Sequence, residues 1–187
     1  EAKAIIEEEE RILAQVLASL KFQLSDGELR FRDETRLARD LTSGIVNSTR
    51  AEDRHQLASD EAVAHGLSKM RKQQLGQIDK LLAAPYFARI IAEERDPQGR
   101  KKTIEYKIGT RANVDCRIID WRAAPISKLY YEYQEGEEYF EVIQGRDREG
   151  VIKLRRRIEI KDGELQRISC SAGNFAREDG VWIALDG

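Results

Sequence analysis

Ala84-Pro85-Tyr86-Phe87-Ala88-Arg89-Ile90-Ile91-Ala92 is the stretch at which this chain changes character. The residue before a proline disfavours the helical conformation and the ring cannot continue a helical ladder, so Ala84-Pro85 ends whatever helix precedes it. Upstream, apolar residues recur at steps of three and four; from Tyr86 onward they fall into short β-rich runs. This change of period predicts an α+β protein: an antiparallel two-helix coiled-coil arm over residues 1–84, then a small, mostly antiparallel β-sheet or barrel-like domain over 85–187.

Upstream, Ile5, Ile6, Ile12, Leu13, Val16, Leu17, Leu20 and Leu24 mark an amphipathic first helix from Glu1 to about Leu24. The Glu7 to Glu10 run reads as its solvated face in preference to an acidic binding patch. Ser25-Asp26-Gly27 predicts a glycine stop and a turn, and Glu28 to Arg32 a short extended piece. Helical spacing resumes from Asp33 through Leu37, Leu41 and Ile45, breaks at Gly44 and Asn47-Ser48-Thr49, and continues from Ala51 to Leu82. The second helix is more polar than the first, so the two share a narrow apolar seam. Residues 25–50 then form the arm tip, with Asp26, Glu28, Asp33, Glu34 and Asp40 interleaved with Arg30, Arg32, Arg36 and Arg39. His55 and His65 have no ligand-spaced partner and read as surface histidines.

Downstream, strands are predicted at Tyr86 to Ala92, Thr103 to Gly109, Val114 to Trp121, Ser127 to Tyr133 and Glu138 to Ile143. Pro125 joins the third and fourth. Asp120 and Arg122 flank Trp121; an ion pair and a core aromatic pinning a bend is the preferred account, against a contact or switch site. The clearest hairpin runs from Val151 to Ile160, turns at Lys161-Asp162-Gly163-Glu164 and returns along Leu165 to Cys170, with Ile152, Leu154, Ile158 and Ile160 on one face. Lys153, Arg155 and Arg157 occupy the other face and are the candidate nucleic-acid contacts, with Arg156 sent to the opposite side. A solvated strand is favoured over a nucleic-acid groove, because the strip lacks interleaved exposed aromatics.

The chain of 187 residues is 41% hydrophobic, enough for a real core, and 35% charged, which suggests an exposed helical element. A net charge of -2 and a pI near 5.9 argue against autonomous duplex DNA binding. Cys116 and Cys170 lie in expected strands without metal-site spacing and read as reduced, buried thiols of a cytoplasmic protein. No long apolar run or signal peptide is present, so membrane insertion is not expected, and a monomer is favoured over a coiled-coil dimerisation module. The chain opens at Glu1 without methionine, as expected of a fragment. It contains no Gly-x-x-x-x-Gly-Lys-Ser/Thr loop, no Gly-x-Ser-x-Gly elbow and no His-Glu-x-x-His helix, so no catalytic residue, no metal site and no cofactor is expected in it.

Taken together, Ala84-Pro85-Tyr86-Phe87-Ala88-Arg89-Ile90, Tyr106-Lys107-Ile108-Gly109, Ile119-Asp120-Trp121-Arg122-Ala123-Ala124-Pro125-Ile126-Ser127 and Leu129-Tyr130-Tyr131-Glu132 resemble the HelD family. These are UvrD/Rep-like superfamily 1 helicase proteins that bind bacterial RNA polymerase. The motif residues are Pro85, Tyr86, Phe87, Asp120, Trp121, Arg122, Pro125, Tyr130 and Tyr131; two alanines stand here where the family pattern has one. The resemblance implies the region that precedes a motor core. It also implies that the arm enters the secondary channel of RNA polymerase, and that the full-length protein uses ATP and Mg to help release polymerase from nucleic acid. The tip carboxylates are then the candidate polymerase contacts. The alternative is a DNA-contacting accessory domain of a UvrD/Rep-like repair helicase, acting through Lys153, Arg155 and Arg157.

Overall fold

The computed structural model describes residues 1–47 and 50–185. Two long helices, α1 (Ala2–Asn47) and α2 (Ala51–Leu81), precede a mostly antiparallel sheet. The chain divides into two compact units: Leu20–Lys80, and Glu1–Ser19 together with the chain from Leu81 onward. The first turns of α1 therefore belong with the sheet, where the sequence placed the boundary at 84/85.

In the helical unit, α1 runs unbroken through Ser25-Asp26-Gly27, where a stop was expected, and through Glu28 to Arg32. The glycine serves close packing. A Cβ at Gly27 would lie 2.5 Å from Leu75 Cδ2, so the small residue admits a side chain of α2. Further contacts join Glu34 to Arg71 at 3.3 Å and Thr35 to Ser68 at 3.1 Å, while Leu57 packs against Gly44. Partner numbers fall on α2 as they rise on α1, which makes the helices antiparallel. The first helix is described to Asn47 and the second from Ala51; the Ser48-Thr49 part of the expected break falls outside the described residues. α2 is mostly exposed, and Val63, Leu67 and Met70, at helical spacings of four and three, point to solvent.

In the sheet unit the strands are β1 (Ala88–Arg95), β2 (Lys101–Gly109), β3 (Ile118–Asp120), β4 (Glu138–Ile143), β5 (Arg146–Lys161), β6 (Glu164–Cys170), β7 (Gly173–Glu178) and β8 (Val181–Leu185). Their order is β3-β2-β1-β5-β6-β7-β8, with β4 also paired to β5, so the path has ends at β3 and β8. β5, at 16 residues, is the spine that pairs with β4, β1 and β6 in turn. The expected turn at its end is present: Asp162 and Gly163 have φ of 51° and 75°, as a two-residue hairpin turn requires. A bulge opposite Ile91/Ala92 shifts the phase of β5, so Ile152 pairs with Ala92 while Leu154 pairs with Ile91. Ile152 thereby joins Ala88, Ile90, Ala92, Ile108, Leu129 and Tyr130 in one apolar cluster.

The segment 114–133 departs most from expectation. Only Ile118–Asp120 is strand, and it pairs in parallel with β2. Arg117, with φ of 56°, breaks the extended run, and Cys116 sits in the preceding turn. Ser127 to Tyr133, expected to be a strand, is instead a 3-10 turn at Pro125–Ser127 followed by a short helix, α3 (Lys128–Glu132). Pro125 supplies the φ that a helical first position wants, and Ser127 Oγ donates to Trp121 O at 2.9 Å. Consecutive burial of Leu129 and Tyr130, followed by exposed Tyr131 and Glu132, is a one-turn helical pattern and not an alternating one.

Candidate functional site

The expected tip carboxylates do not converge. Asp26, Glu28, Asp33, Glu34 and Asp40 are strung along one continuous helix, and fourteen residues of rise separate the first from the last by roughly 20 Å. Asp26 is engaged by Arg30 at 3.2 Å, and Glu34 faces α2, where it meets Arg71. Glu28, Asp33 and Asp40 are exposed. The acids beside the described end of the turn are Glu52 and Asp53, in the first turn of α2, where the helix dipole favours them. The Asn47-Ser48-Thr49 break followed by Glu52-Asp53 was the signal for them. Among the described residues, no group of three or more His, Cys, Asp or Glu is arranged to hold a metal ion.

The largest concentration of buried charge lies in the sheet unit. Arg89 on β1 and Arg156 on β5 are direct cross-strand partners, and like charges in such a pair repel. Glu9 of α1, 0% exposed, resolves this. Its Oε2 accepts from Arg89 Nη2 and Arg156 Nη1, both at 2.5 Å, and its Oε1 accepts from Arg89 Nε at 2.9 Å. Glu8 reaches Arg89 Nη2 at 2.5 Å and Arg156 Nη1 at 3.4 Å, and Glu105 reaches Arg89 Nη1 at 3.4 Å. Burial alone would raise the Glu8 carboxyl, but Arg156 and Arg89 outweigh it and hold the group below its ordinary value. The Glu7 to Glu10 run is thus not uniformly a solvated face. Glu9 lies on the stripe of Ile5, Ile12, Leu13 and Val16, and that phase was readable in the sequence.

The basic strip is only partly free for a ligand. Lys153 and Arg157 are exposed. Arg155 donates through Nε to Tyr130 O at 2.8 Å, and its guanidinium lies 4.2 Å from the Tyr130 ring centre. Of the motif residues, Pro85 and Tyr86 are buried and Phe87 is half-buried. Trp121 is not core: it is 39% exposed. Asp120 pins the bend through the backbone, its Oδ1 accepting from Arg122 N at 2.8 Å, and this turn carries Trp121 off the end of β3. Arg122 stacks over the indole at 5.2 Å in place of a side-chain pair with Asp120. Cys116 is buried and Cys170 half-buried, and neither forms a disulfide. Among the described residues no helix is long and apolar enough to cross a membrane.

The fold thus defines a sheet module that is built around a helix-borne carboxylate and carries a long helical hairpin in its chain. A family model described as DNA helicase IV HelD, N-terminal domain, matches residues 6–172, and the chain belongs to that family. No curated protein matches it.

Proposed function

We propose that this chain is the docking portion of a HelD-like superfamily 1 helicase. Its helical hairpin enters the secondary channel of bacterial RNA polymerase and supports release of polymerase from nucleic acid. ATP and magnesium serve a motor elsewhere in the parent protein, and the portion described here takes no catalytic part. The observation that carries this reading is the Leu20–Lys80 unit, in which α2 leaves most of its length, including Val63, Leu67 and Met70, uncovered. A two-helix hairpin that buries so little of itself gains by laying an apolar stripe against a partner's groove. The carboxylates suited to the deepest position are Glu52 and Asp53, with Asp40 next along the hairpin.

The test is retention of bacterial core RNA polymerase by the immobilised chain. Retention is expected for the intact chain and loss when residues 20–80 are replaced by a short Gly/Ser linker. Equal retention by both would reject docking through the hairpin.

A further inference from the structure

The sheet unit carries a row of aromatic and guanidinium groups, exposed at Trp121 and Tyr131 and buried at Tyr130, that neither the family match nor the hairpin accounts for. Arg122 lies 5.2 Å from the Trp121 ring centre, Trp121 lies 6.3 Å from Tyr131, Tyr131 lies 5.1 Å from Tyr130, and Arg155 covers Tyr130 at 4.2 Å. Both ring pairs are edge-to-face. Tyr130 is buried and anchors the row, whereas Trp121 and Tyr131 are 39% and 48% exposed. A core aromatic would not be left in water beside a second exposed ring, and an indole that served only to pin the bend would face inward. Beyond Arg155 the row continues into a cleft of about 400 Å³ lined by Arg155, Arg157, Gln134, Ser169 and Asn174.

We propose that the row from Arg122 through Trp121 and Tyr131 to Arg155 and Arg157 is a stacking surface for single-stranded nucleic acid. Exposed rings supply faces for unpaired bases, each worth about 1–3 kcal/mol, and arginines beside them meet the phosphates. Duplex is a poor occupant, because its bases are already stacked and a chain of net charge -2 offers no broad cationic field. Nearby acids are partly engaged: Glu132 pairs with Lys128 at 3.7 Å, Asp120 accepts from Arg122 N, and Glu135 accepts from Arg155 N at 3.4 Å. The basic strip of β5 lacked interleaved aromatics in the sequence; the fold sets Tyr130 against Arg155, and Tyr130 in turn meets Tyr131, which meets Trp121.

Trp121 and Trp182 are the two tryptophans of the chain, so Trp182→Phe makes Trp121 the sole indole, which can be excited selectively over the tyrosines. Titrating this variant with oligo-dT and oligo-U of about 15 nucleotides is expected to quench the fluorescence saturably, and binding by either supports the surface. In the otherwise unaltered chain, followed by anisotropy of a labelled oligonucleotide, Tyr131→Ala is expected to weaken binding by about 5- to 150-fold. Trp121→Phe, which keeps a ring, stays within a few-fold of the parent, and Arg122→Ala reduces the salt slope by about 0.7. Absence of quenching, unchanged affinity in Tyr131→Ala with unaltered circular dichroism, or equal competition by a duplex would each overturn the proposal. Loss of polymerase retention in Trp121→Ala without loss of oligonucleotide binding would overturn it as well. Polymerase docking through residues 20–80 stands or falls separately.

Discussion

Glu9 of α1 grips Arg89 of β1 through both carboxylate oxygens across 80 residues of sequence, with Nε at 2.9 Å and Nη2 at 2.5 Å. The same carboxylate holds Arg156, the cross-strand neighbour of Arg89, so one buried anion separates two cations that the sheet register would otherwise set face to face. Helix and sheet are joined by charge as well as by apolar contact.

Removing one member of such a cluster leaves an uncompensated buried charge. Glu9→Ala is expected to cost about 3–5 kcal/mol, read from the urea midpoint of unfolding. The double variant Arg89→Met with Glu9→Leu should recover part of that loss. A single-variant cost below about 1 kcal/mol would contradict the account.

The Glu8 carboxyl is held below its ordinary value of 4.5 by Arg156 and Arg89, against the pull of burial. Because the folded value is the lower one, its contribution to stability is fully present above the unfolded value and is lost as pH falls through the folded value. Urea midpoints measured from about pH 6 to about pH 3 should therefore fall less steeply for Glu8→Gln than for the parent. Parallel curves would refute this.

Gly66 and Gly76 of α2 have open space where a Cβ would stand, whereas Gly27 faces Leu75. Gly66→Ala and Gly76→Ala should each stabilise the hairpin by about 0.5–1 kcal/mol through helix propensity. Gly27→Ala should gain less, because Leu75 must rotate away, and Gly27→Leu should destabilise by about 1–3 kcal/mol. Helicity followed by circular dichroism during heating ranks the four.

On the docking reading, Leu67→Glu and Met70→Glu place charge on the uncovered stripe of α2. Folding stability should stay within about 0.5 kcal/mol of the parent, while retention of core RNA polymerase drops at least about tenfold, or 1.4 kcal/mol. Undiminished retention by both variants would remove the stripe from the interface.

Much of the architecture was legible from local pattern. The proline at 85 marked the change of class, and the Lys161 to Glu164 turn was readable because positive φ at two successive positions selects Asp-Gly. Alternation along β5 correctly sent Arg156 away from Arg155 and Arg157, but the bulge opposite Ile91/Ala92 takes Ile152 off the face of Leu154, where it was expected, and onto that of Arg155 and Arg157. The glycine at 27 misled because the residue that stops a helix is also the one that lets two helices approach, and only the position of Leu75 distinguishes these uses. Ser127 to Tyr133 misled because a short run rich in tyrosine suits a strand by propensity, while its burial follows a single helical turn.

By itself, then, the sequence determined the succession of a helical hairpin and a mostly antiparallel sheet, the switch between them and the kinship with HelD N-terminal domains, since periodicity, turn chemistry and motifs are properties of neighbouring residues. Tertiary structure alone decided that Glu9 meets Arg89 and Arg156, that Trp121 faces water and that Arg155 covers Tyr130. The physical reason is that burial and charge pairing depend on what lies opposite in space. Opposite Glu9 stand Arg89 and Arg156, and no local pattern around residue 9 specifies either.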